Sequence, residues 1–131
     1  MGAKELLDQH HLSAAISELN QDIKRHPTDA RLRTFLFELL CFAGDYERAQ
    51  RQLDVIGHQN EKVGIGVEVY KNILRAETTR RRLFAEGIKP SFLFDPPEHV
   101  VRSMDAHNQL REQHVAEAKA LYERAQRERP D

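Results

Sequence analysis

The segment from Glu38 to Leu53, "ELLCFAGDYERAQRQL", decides the fold. Its apolar residues recur at helical spacing on both sides of a Gly44-Asp45 pair, which is typical of two helices joined by a tight turn. Ala49 places a small side chain early in the second helix, where a close crossing with the first helix requires one. The segment also contains the chain's only cysteine, Cys41, so it could be either a packing unit or a reactive site.

The rest of the chain has the same periodicity. Apolar residues at helical spacing mark the segments 12–23, 32–43, 46–56, 63–84, 100–110 and 115–125. No comparable stretch alternates with period two, so the sequence predicts an all-α fold of stacked antiparallel helix hairpins. Thr28 or Asp29 can cap the helix that follows Pro27, and Gly57 is expected to close the helix that begins near Tyr46.

A shift of roughly 34 residues aligns the chain with itself, and this is the period of tetratricopeptide (TPR) helix pairs. Ala15 then coincides with Ala49, and His10-His11 coincide with the Gly44-Asp45 turn. The spacing from the small residue to a closing proline recurs in the pairs Ala15–Pro27 and Ala118–Pro130. The sequence therefore predicts a single TPR-like domain over residues 1–131, with a shortened first repeat, one good repeat and a late degenerate repeat.

One long irregular segment, "EGIKPSFLFDPPEHV", interrupts the helices before Val100. Its glycine and three prolines forbid a continuous helix. Phe92, Leu93 and Phe94 are too apolar for a free linker, so we expect them to enter the core and make this a packed proline-rich loop.

A stack of such hairpins has a concave face that usually binds peptides or helices. The repeat register turns one side of the helix before Gly44 toward this face. The candidate partner-binding groove therefore consists of Arg31, Thr34, Glu38, Cys41 and Phe42.

A second candidate surface is the basic patch of Arg75, Arg80, Arg81 and Arg82. Consecutive arginines spread around a helix, and neighbouring glutamates dilute their charge. A solvated face with intramolecular pairing and a patch for an acidic partner are both compatible with this pattern. Nucleic acid is disfavoured, because interleaved aromatic residues and a basic excess are missing.

Composition and motifs favour an interaction protein over an enzyme. The formal net charge is −1, no apolar run is long enough to cross a membrane, and the N-terminus lacks a signal core, so we expect a cytoplasmic protein. Cys41 lies near the C-terminal end of its helix, where the dipole disfavours a thiolate. No histidine or cysteine motif predicts a metal or cofactor site, and Gly64 and Gly66 are expected to permit close helix packing.

Three segments carry a more specific likeness. They are "HLSAAISELNQDIKRHPTDARLRTFLFELLCFAGDYERAQRQLDVI" (11–56), "YKNILRAETTRRRLFAEG" (70–87) and "KPSFLFDPPEHV" (89–100). Together they resemble the ImpE family, also called TagJ, of accessory proteins of bacterial type VI secretion. The tryptophan common near the end of the family's proline-rich element is missing, since the chain has none.

The resemblance implies a non-catalytic adaptor with a protein partner. Family members are associated with the contractile sheath of the secretion machine, through the small sheath subunit TssB and indirectly the ATPase ClpV. They usually continue past this length, so the chain could be the N-terminal part of a longer member. Two alternatives stay open, namely a generic TPR-like scaffold that could form homo-oligomers, and a thiol- or metal-dependent enzyme.

Overall fold

The computed structural model describes residues 1–131 and contains seven α-helices, one 3-10 helix and no β-strand. The α-helices are α1 (Ala3–Asp8), α2 (Leu12–Arg25), α3 (Ala30–Phe42), α4 (Tyr46–Gln59), α5 (Gly64–Glu86), α6 (Glu98–Arg111) and α7 (Val115–Glu128). The 3-10 helix covers Glu61–Val63. The all-α class predicted from hydrophobic periodicity is confirmed.

The chain folds as two compact units, residues 1–76 and residues 77–131. The first unit contains α1 to α4, the 3-10 helix and residues 64–76 of α5. The second unit contains the remainder of α5 and the α6–α7 hairpin. The boundary thus falls within a helix, and a single domain over the whole chain stays a prediction.

Three hairpins, α1–α2, α3–α4 and α6–α7, turn with the same backbone geometry. One residue in each turn is left-handed: His10 (φ 64°), Gly44 (φ 77°) and Gln113 (φ 68°). The N–H of the next residue donates to a carbonyl of the preceding helix, in the pairs His11–Leu6 (2.8 Å), Asp45–Leu40 (2.9 Å) and His114–Gln109 (2.8 Å). This is the hydrogen bond of a Schellman motif, which satisfies a carbonyl that the helix end would leave unpaired.

A buried alanine follows each of these turns. Ala15 and Ala49 are 0% exposed and Ala118 is 3% exposed. A methyl side chain lets the second helix of a hairpin cross closely over the first. The structure therefore confirms the three-fold alignment of small residues that the sequence predicts.

The core of the first unit lies where α2, α3 and α4 meet. Its largest fully buried side chains are Leu19 of α2 and Leu36, Leu39 and Leu40 of α3. Full burial of a leucine side chain stabilises the fold by about 1.5–3 kcal/mol. The apolar side of α3 is therefore fixed in register, and this also fixes which of its residues face outward.

Side-chain caps define the start of α3, but the end of α4 differs from expectation. The Asp29 carboxylate accepts the N–H of Arg31 at 3.0 Å, as the capping prediction allows. The interpretation of Gly57 as the end of α4 is wrong, because the helix continues to Gln59. A Cβ added at Gly57 would lie 3.5 Å from Val67 Cγ1 of α5, an ordinary van der Waals contact.

The other two helical glycines have no such neighbour. A Cβ added at Gly64 or at Gly66 would meet nothing within 4 Å. The expectation that they permit close helix packing is therefore wrong. Both positions border open space on α5.

The second unit has a core of small residues, which corrects the expectation for the proline-rich loop. Its buried side chains are those of Ala106, Ala118 and Ala125. Phe92, Leu93 and Phe94 lie outside this core and are 44%, 95% and 85% exposed. The prediction that these three residues enter the core is wrong. The half-buried residues of the loop are Gly87, Ile88, Pro90 and Pro96.

Candidate protein-binding groove

Four of the five predicted groove residues lie together on the outward side of α3. Thr34, Glu38, Cys41 and Phe42 line two adjoining cavities between α3 and α5 in the first unit. The fifth, Arg31, lies outside both cavities and forms an ion pair with Asp29 at 3.3 Å. The structure thus brings four of the five residues together, and their role in binding a partner stays a prediction.

The two cavities form a continuous feature, which we call the α3–α5 groove. One cavity has a volume of about 240 Å³ and the other about 250 Å³. Phe37, Glu38 and Tyr70 line both. The first cavity is completed by Thr34, Leu53, Ile56, Val63, Gly66 and Val67. The second is completed by Cys41, Phe42, Ile73 and Leu74.

An aromatic pair forms the floor that the cavities share. The rings of Phe37 and Tyr70 meet edge to face, with centroids 5.5 Å apart and planes at 70°. Such a pair contributes about 0.5–1.5 kcal/mol beyond its buried area. Phe37 is buried and Tyr70 is 52% exposed, so the pair connects the core to the groove surface.

The α5 side of the groove was missed by sequence reasoning. Tyr70 and Ile73 lie one turn apart on α5, and Gly66 lies one turn before Tyr70. The absence of a side chain at Gly66 leaves the first cavity open. The helical spacing of these residues was readable from the sequence, but not which face of α5 meets α3.

Exposed apolar side chains extend along α5 beside the groove. Ile65, Val69 and Ile73 are 86%, 51% and 54% exposed, and they recur every fourth residue. Phe42, at the end of α3, is 80% exposed. An apolar stripe of this kind marks a surface for protein interaction.

Glu38 is the only carboxylate that lines the groove. Its side chain makes no hydrogen bond and no ion pair. Thr34 does not donate a hydrogen bond to Glu38, because its hydroxyl donates to the Ala30 carbonyl at 2.9 Å. The groove therefore combines apolar walls with one uncompensated negative charge.

Cys41 is half-buried at the edge of the groove and packs against the core. Burial raises the pKa of its thiol, and the negative charge of Glu38 raises it further. Both effects disfavour the thiolate, which is the nucleophilic form. The environment agrees with the interpretation of Cys41 as a packing residue.

A third cavity of the first unit is polar. It has a volume of about 490 Å³ and contains Lys71, whose ammonium pairs with Asp54 and lies 3.7 Å from Glu68. The hydrogen bond to Asp54 raises the pKa of Lys71. These groups compensate one another.

The arginines of the predicted basic patch contact carboxylate and amide side chains of their own helix, α5. Arg80 Nε lies 2.7 Å from Glu77, Arg81 lies 3.5 Å from Glu77, and Arg82 lies 3.0 Å from Glu86. Arg75 donates to the Asn72 side chain at 2.7 Å. Hydrogen bonding from Arg80 lowers the pKa of Glu77 to about 2, and the charge of Arg80 and the contact with Arg81 add to this effect. Three of the four arginines of the patch thus form ion pairs within their own helix, and the fourth is hydrogen-bonded to an amide.

Two further properties complete the description of the surface. No group of three or more His, Cys, Asp or Glu side chains is placed to hold a metal ion. None of the helices is both long and apolar enough to cross a membrane.

Comparisons with known proteins agree with this architecture. A family model described as tetratricopeptide repeat matches residues 6–63, from the second half of α1 through α4 and the 3-10 helix. The chain is 35% identical over 125 residues to the type VI secretion system accessory component TagJ of Pseudomonas aeruginosa. That match covers 95% of the chain but 44% of TagJ, so the chain spans less than half the length of this curated relative. These findings confirm the TPR-like fold and the relationship to the ImpE/TagJ family.

Proposed function

We propose that this relative of TagJ is a non-catalytic accessory protein of a bacterial type VI secretion system. It acts in the cytoplasm as an adaptor that binds a helix of the sheath subunit TssB, and through TssB it is linked to sheath recycling by ClpV. The observation that carries the proposal is the α3–α5 groove, an apolar surface on a TPR-like unit in a chain that matches a secretion accessory component.

The shape of the groove supports capture of a helix. Two cavities of similar volume lie side by side along α3, each lined mainly by apolar side chains. An amphipathic helix binds such a groove by inserting apolar residues from one face. The chain offers no strand edge to which an extended peptide could add.

The proposal is tested by isothermal titration calorimetry of this chain against TssB from the same bacterium. A Gly66→Leu variant is expected to fill the first cavity and to weaken binding at least about tenfold, because the new side chain occupies the ligand's place. Gly64→Leu is the matched control, since it makes the same change on α5 but lies outside the groove. Absence of TssB binding, or equal effects of the two variants, would contradict the proposal.

A second candidate function is self-association. The exposed stripe of Ile65, Val69 and Ile73 favours it, because two copies could cover these residues mutually. Light scattering over a concentration series distinguishes the two functions. A dimer that forms through α5 and does not bind TssB would support a self-associating scaffold.

A further inference from the structure

We propose that the α3–α5 groove selects a helix that carries a lysine or arginine between two apolar anchor residues, with Glu38 as the selecting group. This rests on the proposed function in one respect only, namely that the groove is the binding surface. It adds the chemistry of the bound segment, which neither the fold nor the family match specifies.

Any occupant of both cavities must pass beside Glu38, which lines the wholly apolar second cavity with its methylene groups. Phe37, Glu38 and Tyr70 line both cavities, so they form the seam between them. A helix that inserts one apolar side chain on each side of the seam places an intervening residue against Glu38.

The charge of Glu38 has no partner within the first unit. Arg33, the nearest cation along α3 toward its N-terminus, donates to the Gln52 side chain and to the Pro27 carbonyl. Arg31 is held by Asp29, and Lys71 is held by Asp54 and Glu68. No arginine or lysine lines either cavity. Docking of a purely apolar face would remove this carboxylate from water without compensation, which is costly, whereas a cation on the ligand would supply its missing partner.

A helical ligand fits this surface better than an extended one. An extended segment needs hydrogen-bonding partners for its backbone, and a helix satisfies its own. The polar side chains that line the groove are few, and the Thr34 hydroxyl is already engaged by Ala30. The spacing that follows is apolar residues two turns apart, with a lysine or arginine three or four residues after the first, because those positions share one face.

The test uses three synthetic amphipathic helical peptides that differ only at the central residue, which is lysine, glutamine or glutamate. We expect the lysine peptide to bind at least about tenfold more tightly than the glutamine peptide at low salt, as for a hydrogen bond to a charged group. The glutamate peptide is expected to bind most weakly. Added salt should reduce the advantage of lysine.

Variants of Glu38 assign the selectivity. Glu38→Gln is expected to abolish the preference for lysine, and Glu38→Lys to reverse it in favour of the glutamate peptide. Both substitutions are on an exposed position, so circular dichroism should show an unchanged fold. Equal binding of the three peptides to the wild type, or a preference that persists in Glu38→Gln, would overturn the inference.

Titration with TssB separates this inference from the proposed function. If TssB binds the wild type and Glu38→Gln equally at low and high salt, the adaptor function stands and the role of Glu38 fails. If the peptides are discriminated as expected but TssB does not bind, the groove chemistry stands and TssB is the wrong partner. Protection of Cys41 from a thiol reagent by the lysine peptide would locate binding at the second cavity; lack of protection would contradict the two-cavity arrangement.

Discussion

Substitutions at the three equivalent hairpin turns are expected to change stability in opposite directions. Gly44 occupies the left-handed position of the α3–α4 turn, whereas His10 and Gln113 occupy the same position in the other two turns. A side chain at positive φ is strained, and glycine is not. We therefore expect Gly44→Ala to destabilise its hairpin and Gln113→Gly to stabilise its own, with His10→Gly acting in the same direction as Gln113→Gly.

The expected size follows from two opposing terms. Left-handed geometry costs a residue with a Cβ about 1–2 kcal/mol. Glycine in turn lowers the free energy of unfolding by about 0.4–1 kcal/mol, because it gives the unfolded chain more conformational freedom. The side chains of His10 and Gln113 are exposed and make no hydrogen bond, so their removal costs nothing of that kind. The net change is about 0.5–1 kcal/mol in each direction, or a shift in Tm of roughly 2–8 °C for a unit of this size.

Urea unfolding followed by circular dichroism measures these changes, and native-state hydrogen exchange assigns each to its hairpin. Gly64→Ala is the matched control for Gly44→Ala, since Gly64 has φ −55° and open space around it. This control should stabilise α5 through helix propensity. If Gly44→Ala and Gly64→Ala shift stability in the same direction, or if Gln113→Gly destabilises, the assignment of left-handed strain is refuted.

Three further predictions concern the core, the basic patch and the thiol. Leu39→Ala should lower the free energy of unfolding by about 2–5 kcal/mol, because the Leu39 side chain is buried. Phe42→Ser should lower it by less than about 0.5 kcal/mol, because Phe42 is exposed. Equal losses in urea unfolding would be inconsistent with the register of α3. Glu77 has its pKa lowered from 4.5 to about 2, so its ion pairs are fully present above pH 4.5 and are lost as the pH falls toward 2; the stability difference between wild type and Glu77→Gln should shrink over that range, and a constant difference would refute the pairing. Cys41 should react slowly with maleimide at neutral pH because its pKa is raised, and Glu38→Gln should accelerate the reaction; labelling as fast as in urea would favour a reactive site.

Local sequence signals were sufficient for the helices and turns. Gly44-Asp45 identified one turn directly, and the repeat alignment extended it to His10, where no glycine marks the left-handed residue. The close helix crossings were identified by Ala15, Ala49 and Ala118, since a close crossing tolerates only a small side chain. These features depend on backbone geometry within a few residues, which the sequence encodes locally.

The groove was only half predictable because it depends on two helices. The register of α3 was set by its buried leucines, which left Glu38 and Cys41 on the outward side. The face that α5 presents is set by tertiary contacts such as Tyr70 against Phe37 and Val67 against Gly57. The helical spacing of Val67 and Tyr70 marks an apolar face of α5, but it does not specify which helices that face meets.

The proline-rich loop shows a different limit. Three consecutive large apolar residues suggested burial, but composition does not show whether a core has room for them. The buried side chains of the same unit are alanines of the α6–α7 hairpin, and Phe92, Leu93 and Phe94 are exposed. Hydrophobicity alone therefore indicated an interaction surface as readily as a core segment.

The distribution of compensated and uncompensated charge decides which partner chemistry the chain favours. Four arginines on α5 suggested an acidic partner, yet Arg80, Arg81 and Arg82 lie against Glu77 and Glu86 on their own helix. An acidic ligand would have to displace those carboxylates from the arginines. Replacing one exposed ion pair by another adds little affinity. The groove presents the reverse situation, because Glu38 lies between two apolar cavities without a cation beside it. A partner that brings an apolar face and a positive charge therefore gains at the groove what it could not gain at the basic patch, and the glutamine variant of Glu38 is the substitution that measures this difference.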